Sequence, residues 1–138
     1  MMTKLNSLLI TAAGLTLSSI AAYGQNHIVA NVPFSFRTAA GVQPAGQYVI
    51  APTGYDAVAM TLKNAETGKS SILGLGTPNG VEKQNSPRLV FLCGNESGCA
   101  LTGVVAADGR GWTYKGPRLK PSETERVAVV YCESKQAE

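Results

Sequence analysis

Apolar and polar positions alternate along most of this chain with a period of two, the signature of strands that bury one face. Ile28, Ala30, Val32, Phe34 and Phe36 share one parity, and Tyr48 and Ile50 continue the pattern after a break. Pro33 sits on the opposite parity, where it removes a ladder donor; that predicts an edge strand or an outward-facing N–H. A loop is predicted over residues 38–41. The Pro44-Ala45-Gly46 turn follows, with Pro44 presetting φ and Gly46 suiting the last position, so the two runs read as a first hairpin.

Val58, Met60 and Leu62 alternate again, and Asn64-Ala65-Glu66-Thr67-Gly68 supplies the turn of a second hairpin whose return strand is Ile72-Leu73-Gly74-Leu75. Leu73 and Leu75 share a parity there, and Gly74 weakens the other face or marks a bulge. Residues 76–86 form the longest irregular stretch and the expected crossing between sheets or sheet edges. Residues 88–93 are almost continuously apolar, which predicts a central strand buried on both faces. Gly94-Asn95-Glu96-Ser97-Gly98 turns the chain back into residues 99–105, and Asp108-Gly109 is a second hairpin signal before the short aromatic strand Trp112-Thr113-Tyr114. Ser122-Glu123-Thr124-Glu125 fits a capping box, yet Val127-Ala128-Val129-Val130-Tyr131-Cys132 is β-branched and reads as the last strand. Residues 133–138 read as a frayed polar tail.

These elements add up to about eight short strands with turn chemistry between them, the pattern of an all-β antiparallel sandwich or small barrel. No helix of crossover length is visible beyond the N-terminal segment, which argues against a parallel sheet.

That N-terminal segment changes the picture of where the protein acts. Met1-Met2-Thr3-Lys4 is a short positive region, residues 5–20 are apolar but interrupted by Ser, Thr and Gly, and Ala22-Tyr23-Gly24 places small residues where a signal peptidase cuts. The stretch is shorter and richer in hydroxyls than the roughly 20 apolar residues of a spanning helix. The expectation is a signal peptide over residues 1–24, cleaved to leave one β domain over residues 25–138 that is periplasmic or extracellular, with no membrane span in the mature chain. The formal net charge of +3 falls nearer to neutral once Lys4 is removed. The loose cluster of Arg110, Lys115, Arg118 and Lys120 is broken by Gly and Pro, so it lacks the basic stripe of a nucleic-acid binder.

Export makes the cysteines informative. Cys93 and Cys99 flank the Gly94 to Gly98 turn, where a hairpin sets them opposite one another at a spacing a disulfide accepts. A Cys93–Cys99 bridge is therefore the preferred pairing, worth about 2 kcal/mol for so short a loop. Pairings through Cys132 remain open at this level. Left over, Cys132 reads as a small buried residue or as a route to self-association.

The remaining candidate chemistry is sparse. His27 is the sole histidine, and no second ligand stands at a metal-binding spacing, so no metal and no cofactor are expected. Asp56, Glu66, Glu82 and Asp108 each fall in or beside a turn or loop, where carboxylates are common without catalysis. No nucleophile elbow, P-loop or dinucleotide fingerprint is present, so the expectation is a non-enzymatic binding or envelope-associated structural domain, with a hydrolase of unrecognised site as an alternative. Asn95-Glu96-Ser97 fits a glycosylation sequon. Trp112 and Tyr114 are the candidate binding surface: alternating rings on an edge strand can stack on a sugar or a partner, and can equally cap the end of a core. The expected partners are accordingly an envelope protein or a polysaccharide.

Val32-Pro33-Phe34-Ser35-Phe36 followed by Pro44-Ala45-Gly46-Gln47-Tyr48, behind an export signal, resembles a family of small secreted bacterial β proteins of unknown function with an N-terminal VPFxF and PAGxY hairpin. The match is good over residues 30–50 and loose over residues 89–104. Gln43 stands where that family usually has Leu, and Cys93 and Cys99 stand near positions that are often aromatic. The resemblance implies export and a β architecture, and it transfers no site residue.

Overall fold

The computed structural model describes residues 26–53, 59–81, 86–116 and 119–136. The expected signal segment, the cleavage site, Val58, Asp56, Glu82 and Arg118 lie outside them.

Alternation does build the first strand, but Pro33 ends it. β1 (Asn26–Val32) stops one residue short of the proline, and the chain leaves the sheet through Pro33, Phe34 and Ser35. Phe36 then opens β2 (Phe36–Thr38), which turns tightly into β3 (Gly41–Gln43) within a second sheet. Pro44 and Ala45 carry the chain back to the first sheet as β4 (Gly46–Thr53), which pairs with β1 in the register Val32↔Gly46, Ala30↔Tyr48, Ile28↔Ile50. The expected pairing of the two runs is present, with an excursion inserted between them. β1 is also not an edge strand, because β12 (Glu133–Gln136) pairs along its other side. The C-terminal segment expected to fray is thus a strand.

β5 (Ala59–Asn64) and β6 (Ser70–Leu75) form the next hairpin, and the first sheet has the order β12-β1-β4-β5-β6. The ladder slips by one residue opposite Met60, where Leu73 and Gly74 oppose a single partner and Gly74 adopts φ 93°. This bulge, at a position only glycine takes without strain, reverses the expected parity. Leu73 is buried while Leu75 is 82% exposed.

The chain crosses again at Gly76 into β7 (Thr77–Asn79), then continues through β8 (Arg88–Gly94), β9 (Gly98–Val105), β10 (Gly111–Thr113) and β11 (Glu125–Tyr131). These give the order β11-β8-β9-β10-β7, with β2 also on β9. β2 runs parallel to β9, the one departure from the antiparallel expectation among the described pairings. β8 is central, as its apolar run suggests, yet it alternates: Leu89, Phe91 and Cys93 are buried and Arg88, Val90 and Leu92 only half so.

The architecture is all-β, with two sheets over one core and twelve strands among the described residues. The excess over the eight expected comes from short strands, β2, β3, β7 and β12, that single-residue patterns do not reveal. Between the sheets lie Ile28, Val32, Tyr48, Ile50 and Leu62 from one side and Phe36, Leu89, Phe91 and Val104 from the other. Phe34 packs edge-on against Phe91 at 4.9 Å, and Phe36 packs edge-on against Phe91 at 5.3 Å and against Tyr48 at 5.2 Å. Such pairs contribute about 0.5–1.5 kcal/mol each beyond burial.

Candidate functional site

The disulfide joins Cys93 to Cys99 across directly paired positions of β8 and β9, with S–S 2.04 Å and Cα–Cα 4.0 Å. The turn it closes is held from outside by one carboxylate. Glu123 Oε1 accepts from the amides of Glu96 and Ser97, while Oε2 accepts from the Ser97 hydroxyl and the Lys120 amide. Desolvation pushes this carboxyl upward, but the Ser97 hydroxyl and the three amides outweigh it and bring its pKa down to about 2. The Thr124 amide donates to Asn95 Oδ1, and Lys120 pairs with Glu96 at 3.3 Å. Glu123 therefore caps a β-turn rather than a helix, and the sequon serine is already engaged.

Trp112 and Tyr114 do not form a surface. Trp112 is 4% exposed and Tyr114 7%, and Gly76 crosses so close that a Cβ there would lie 2.9 Å from the Trp112 Cβ. The Arg110 guanidinium also lies 5.7 Å over the indole. Both rings close the end of the core, which removes them as a stacking platform.

Tyr114 nevertheless marks a cavity of about 440 Å³. It arises because two short strands share one side of β9. β2 covers Cys99 and Ala100 and β10 covers residues 103–105, which leaves a notch beside Leu101 and Thr102. β9 carries a bulge at Thr102, and the Thr102 carbonyl accepts from the Tyr114 amide. From the facing sheet, the β6 bulge at Leu73, Gly74 and Leu75 lines the notch. Leu73, Ala100 and Leu101 are buried and make its lining apolar.

Two cations border this space, Arg37 at its β2 side and Lys115 just past Tyr114, and among the described residues no carboxylate lines it. Arg37 is oriented by a 2.9 Å hydrogen bond from Nη2 to the Ser97 carbonyl, which ties the notch to the stapled turn. Lys115 is exposed and makes no ion pair among the described residues. The Tyr114 hydroxyl is buried and has no hydrogen-bond partner among the described residues, and burial raises its pKa to about 12, so it stays neutral. A buried hydroxyl without a partner is uncommon and calls for an explanation.

The other candidates are scattered. Glu66 and Asp108 lie in turns of different sheets, and Asp108 is occupied by Arg110 at 2.6 Å. His27 sits on β1 opposite Lys135 in the register. Cys132 is half-buried where β11 passes into β12; burial, only partly offset by a backbone hydrogen bond at Leu89, pushes its thiol up to about 12. Such a thiol is poorly nucleophilic at neutral pH. Neither Arg37 nor the Leu73–Leu75 bulge stood out in the sequence. Gly74 alone carried a signal, and it spoke of backbone geometry rather than of a site. The chain matches no family model, and no significant match to a curated protein or to a solved structure exists.

Proposed function

We propose that this chain is an exported, non-catalytic β domain that acts by binding, with the notch between β2, β6, β9 and the segment after β10 as its ligand site. The observation that carries the reading is a cavity of about 440 Å³ that pairs apolar side chains with two cations and, among the described residues, no acid in its lining. That volume and that mixture are typical of small-molecule sites. Export rests on the N-terminal pattern, on the likeness at residues 32–48 and on the Cys93–Cys99 bridge, which fits an oxidising compartment. The short β strands and the staple then serve to hold a small scaffold rigid around the notch.

The test is to express the full chain in an exporting bacterial host and map the product by mass spectrometry. The expected result is a chain beginning at Gln25 in the periplasm or medium, with a peptide linking Cys93 to Cys99. An unprocessed chain confined to the cytosol, with both thiols free, would sink the export reading.

A further inference from the structure

We propose that the notch takes a small anionic amphiphile, a single negative head group on a short aliphatic tail. The inference rests on the reading of the notch as a ligand site and adds the chemistry of what enters it.

The head-group argument comes from charge. Arg37 and Lys115 border the notch, no carboxylate is among its described lining residues, and three acids of the same sheet are engaged elsewhere. Asp108 is held by Arg110, Glu96 pairs with Lys120, and Glu123 is consumed by the Asn95–Ser97 turn. One nitrogen of Arg37 is committed to the Ser97 carbonyl, which fixes the plane of the fork and leaves its other donors for a carboxylate or sulfate. An oriented guanidinium loses less freedom on binding than a mobile one, so its charge is used more effectively.

The tail argument comes from shape. Leu73, Ala100 and Leu101 offer an apolar lining, and Leu75 extends it outward to the rim. A ligand that ended at the cations would leave this lining unused; one that was wholly apolar would leave Arg37 and Lys115 unanswered.

The experiment is calorimetric titration of the disulfide-intact, processed protein with butanoate, hexanoate, octanoate, octyl sulfate, octan-1-ol and octylammonium, all below their aggregation limits. Affinity should rise about fourfold for each methylene buried, until the notch is filled. Octanoate should bind more tightly than octan-1-ol, with octylammonium weakest, and the gap should narrow as salt is added. Octanoate against octyl sulfate separates carboxylate from sulfur oxyanion recognition, and either preference is consistent with the inference. Lys115→Gln, an exposed change without a folding role, should weaken octanoate by about two- to fivefold and leave octan-1-ol unchanged. Ala39→Trp, at an exposed turn position lining the notch, should abolish both.

Equal affinity for octanoate and octan-1-ol, insensitive to Lys115→Gln, overturns the anionic preference while the notch stands as a site. Failure of every probe to bind, or binding indifferent to Ala39→Trp, overturns the site itself. Circular dichroism of each variant confirms that lost binding reflects the notch and not an unfolded chain.

Discussion

The stapled turn and the notch share Arg37, which donates to the Ser97 carbonyl of the turn and lines the notch, and are built on opposite terms. In the turn, the disulfide, the Glu123 carboxylate and Asn95 tie the β8–β9 connection down from several sides. Around the notch, the Lys115 ammonium has no ion pair and the buried Tyr114 hydroxyl no hydrogen-bond partner among the described residues, and Leu75 is exposed at the rim. Stability is concentrated in the first and left unspent in the second. A buried hydroxyl without a partner costs free energy, so the Tyr114 hydroxyl adds nothing to stability where the turn adds much.

The comparison can be broken most directly at the staple. Replacing Cys93 and Cys99 together by serine should cost about 2 kcal/mol or more, read as a lower midpoint in urea. Loss of less than about 0.5 kcal/mol would show that Glu123 alone holds the turn. Gly94→Ala attacks the same region sterically, since a Cβ there would run into the Glu123 carboxylate and crowd Leu119. The expected loss is about 1–3 kcal/mol in the same denaturation assay, as for other overpacked positions.

Two tyrosines sharpen the contrast. The Tyr48 hydroxyl donates to the Pro44 carbonyl four residues upstream and accepts from Asn64 Nδ2, the geometry of a tyrosine corner as seen in β-sandwiches. Tyr48→Phe should therefore cost about 1 kcal/mol or slightly more, because Asn64 is itself buried. Tyr114→Phe removes a hydroxyl that has no partner and should change stability by no more than about 0.5 kcal/mol. Equal losses in the two variants would end the claim that these regions differ.

The Glu123 clamp also has a pH signature. Its folded pKa, about 2, lies below the ordinary value of 4.5, so its stabilisation is complete above that value and is lost as pH falls toward 2. Thermal melts of the native chain and Glu123→Gln should differ at neutral pH and converge across that window. A constant offset at pH 2 and pH 7 would mean that the carboxylate charge is irrelevant. The smallest effect expected is at Cys132: maleimide labelling at pH 7 should be slow in the native chain and fast in urea, given a thiol pushed up to about 12.

Much of the fold was legible because period-two alternation and turn residues act locally. The β1–β4, β5–β6 and β8–β9 pairings and the Cys93–Cys99 bridge all follow from such signals. What escaped was set by neighbours distant in sequence. Nothing local says that Pro33 ends a strand so that Phe36 can start another in the opposite sheet. Residues 133–136 are polar and look like a tail, yet they form a strand because β1 presents an open edge. The Trp112 and Tyr114 rings alternate as an exposed platform would, and only the approach of Gly76 shows them to be covered. The notch was least legible of all, since β2, β6, β9 and the segment after β10 contribute one or two residues each.

The antiparallel seam between β1 and β12 has a consequence for timing. It joins the first described strand to the last, so one sheet can be completed only when nearly the whole chain is available. Loop closure over that separation is slow compared with hairpin formation. During synthesis the earlier hairpins can flicker, but no finished domain can lock while the C-terminal residues are still in the ribosome. Until residues 133–136 arrive, one edge of β1 is unpaired, and the seam is the latch that closes the sheet.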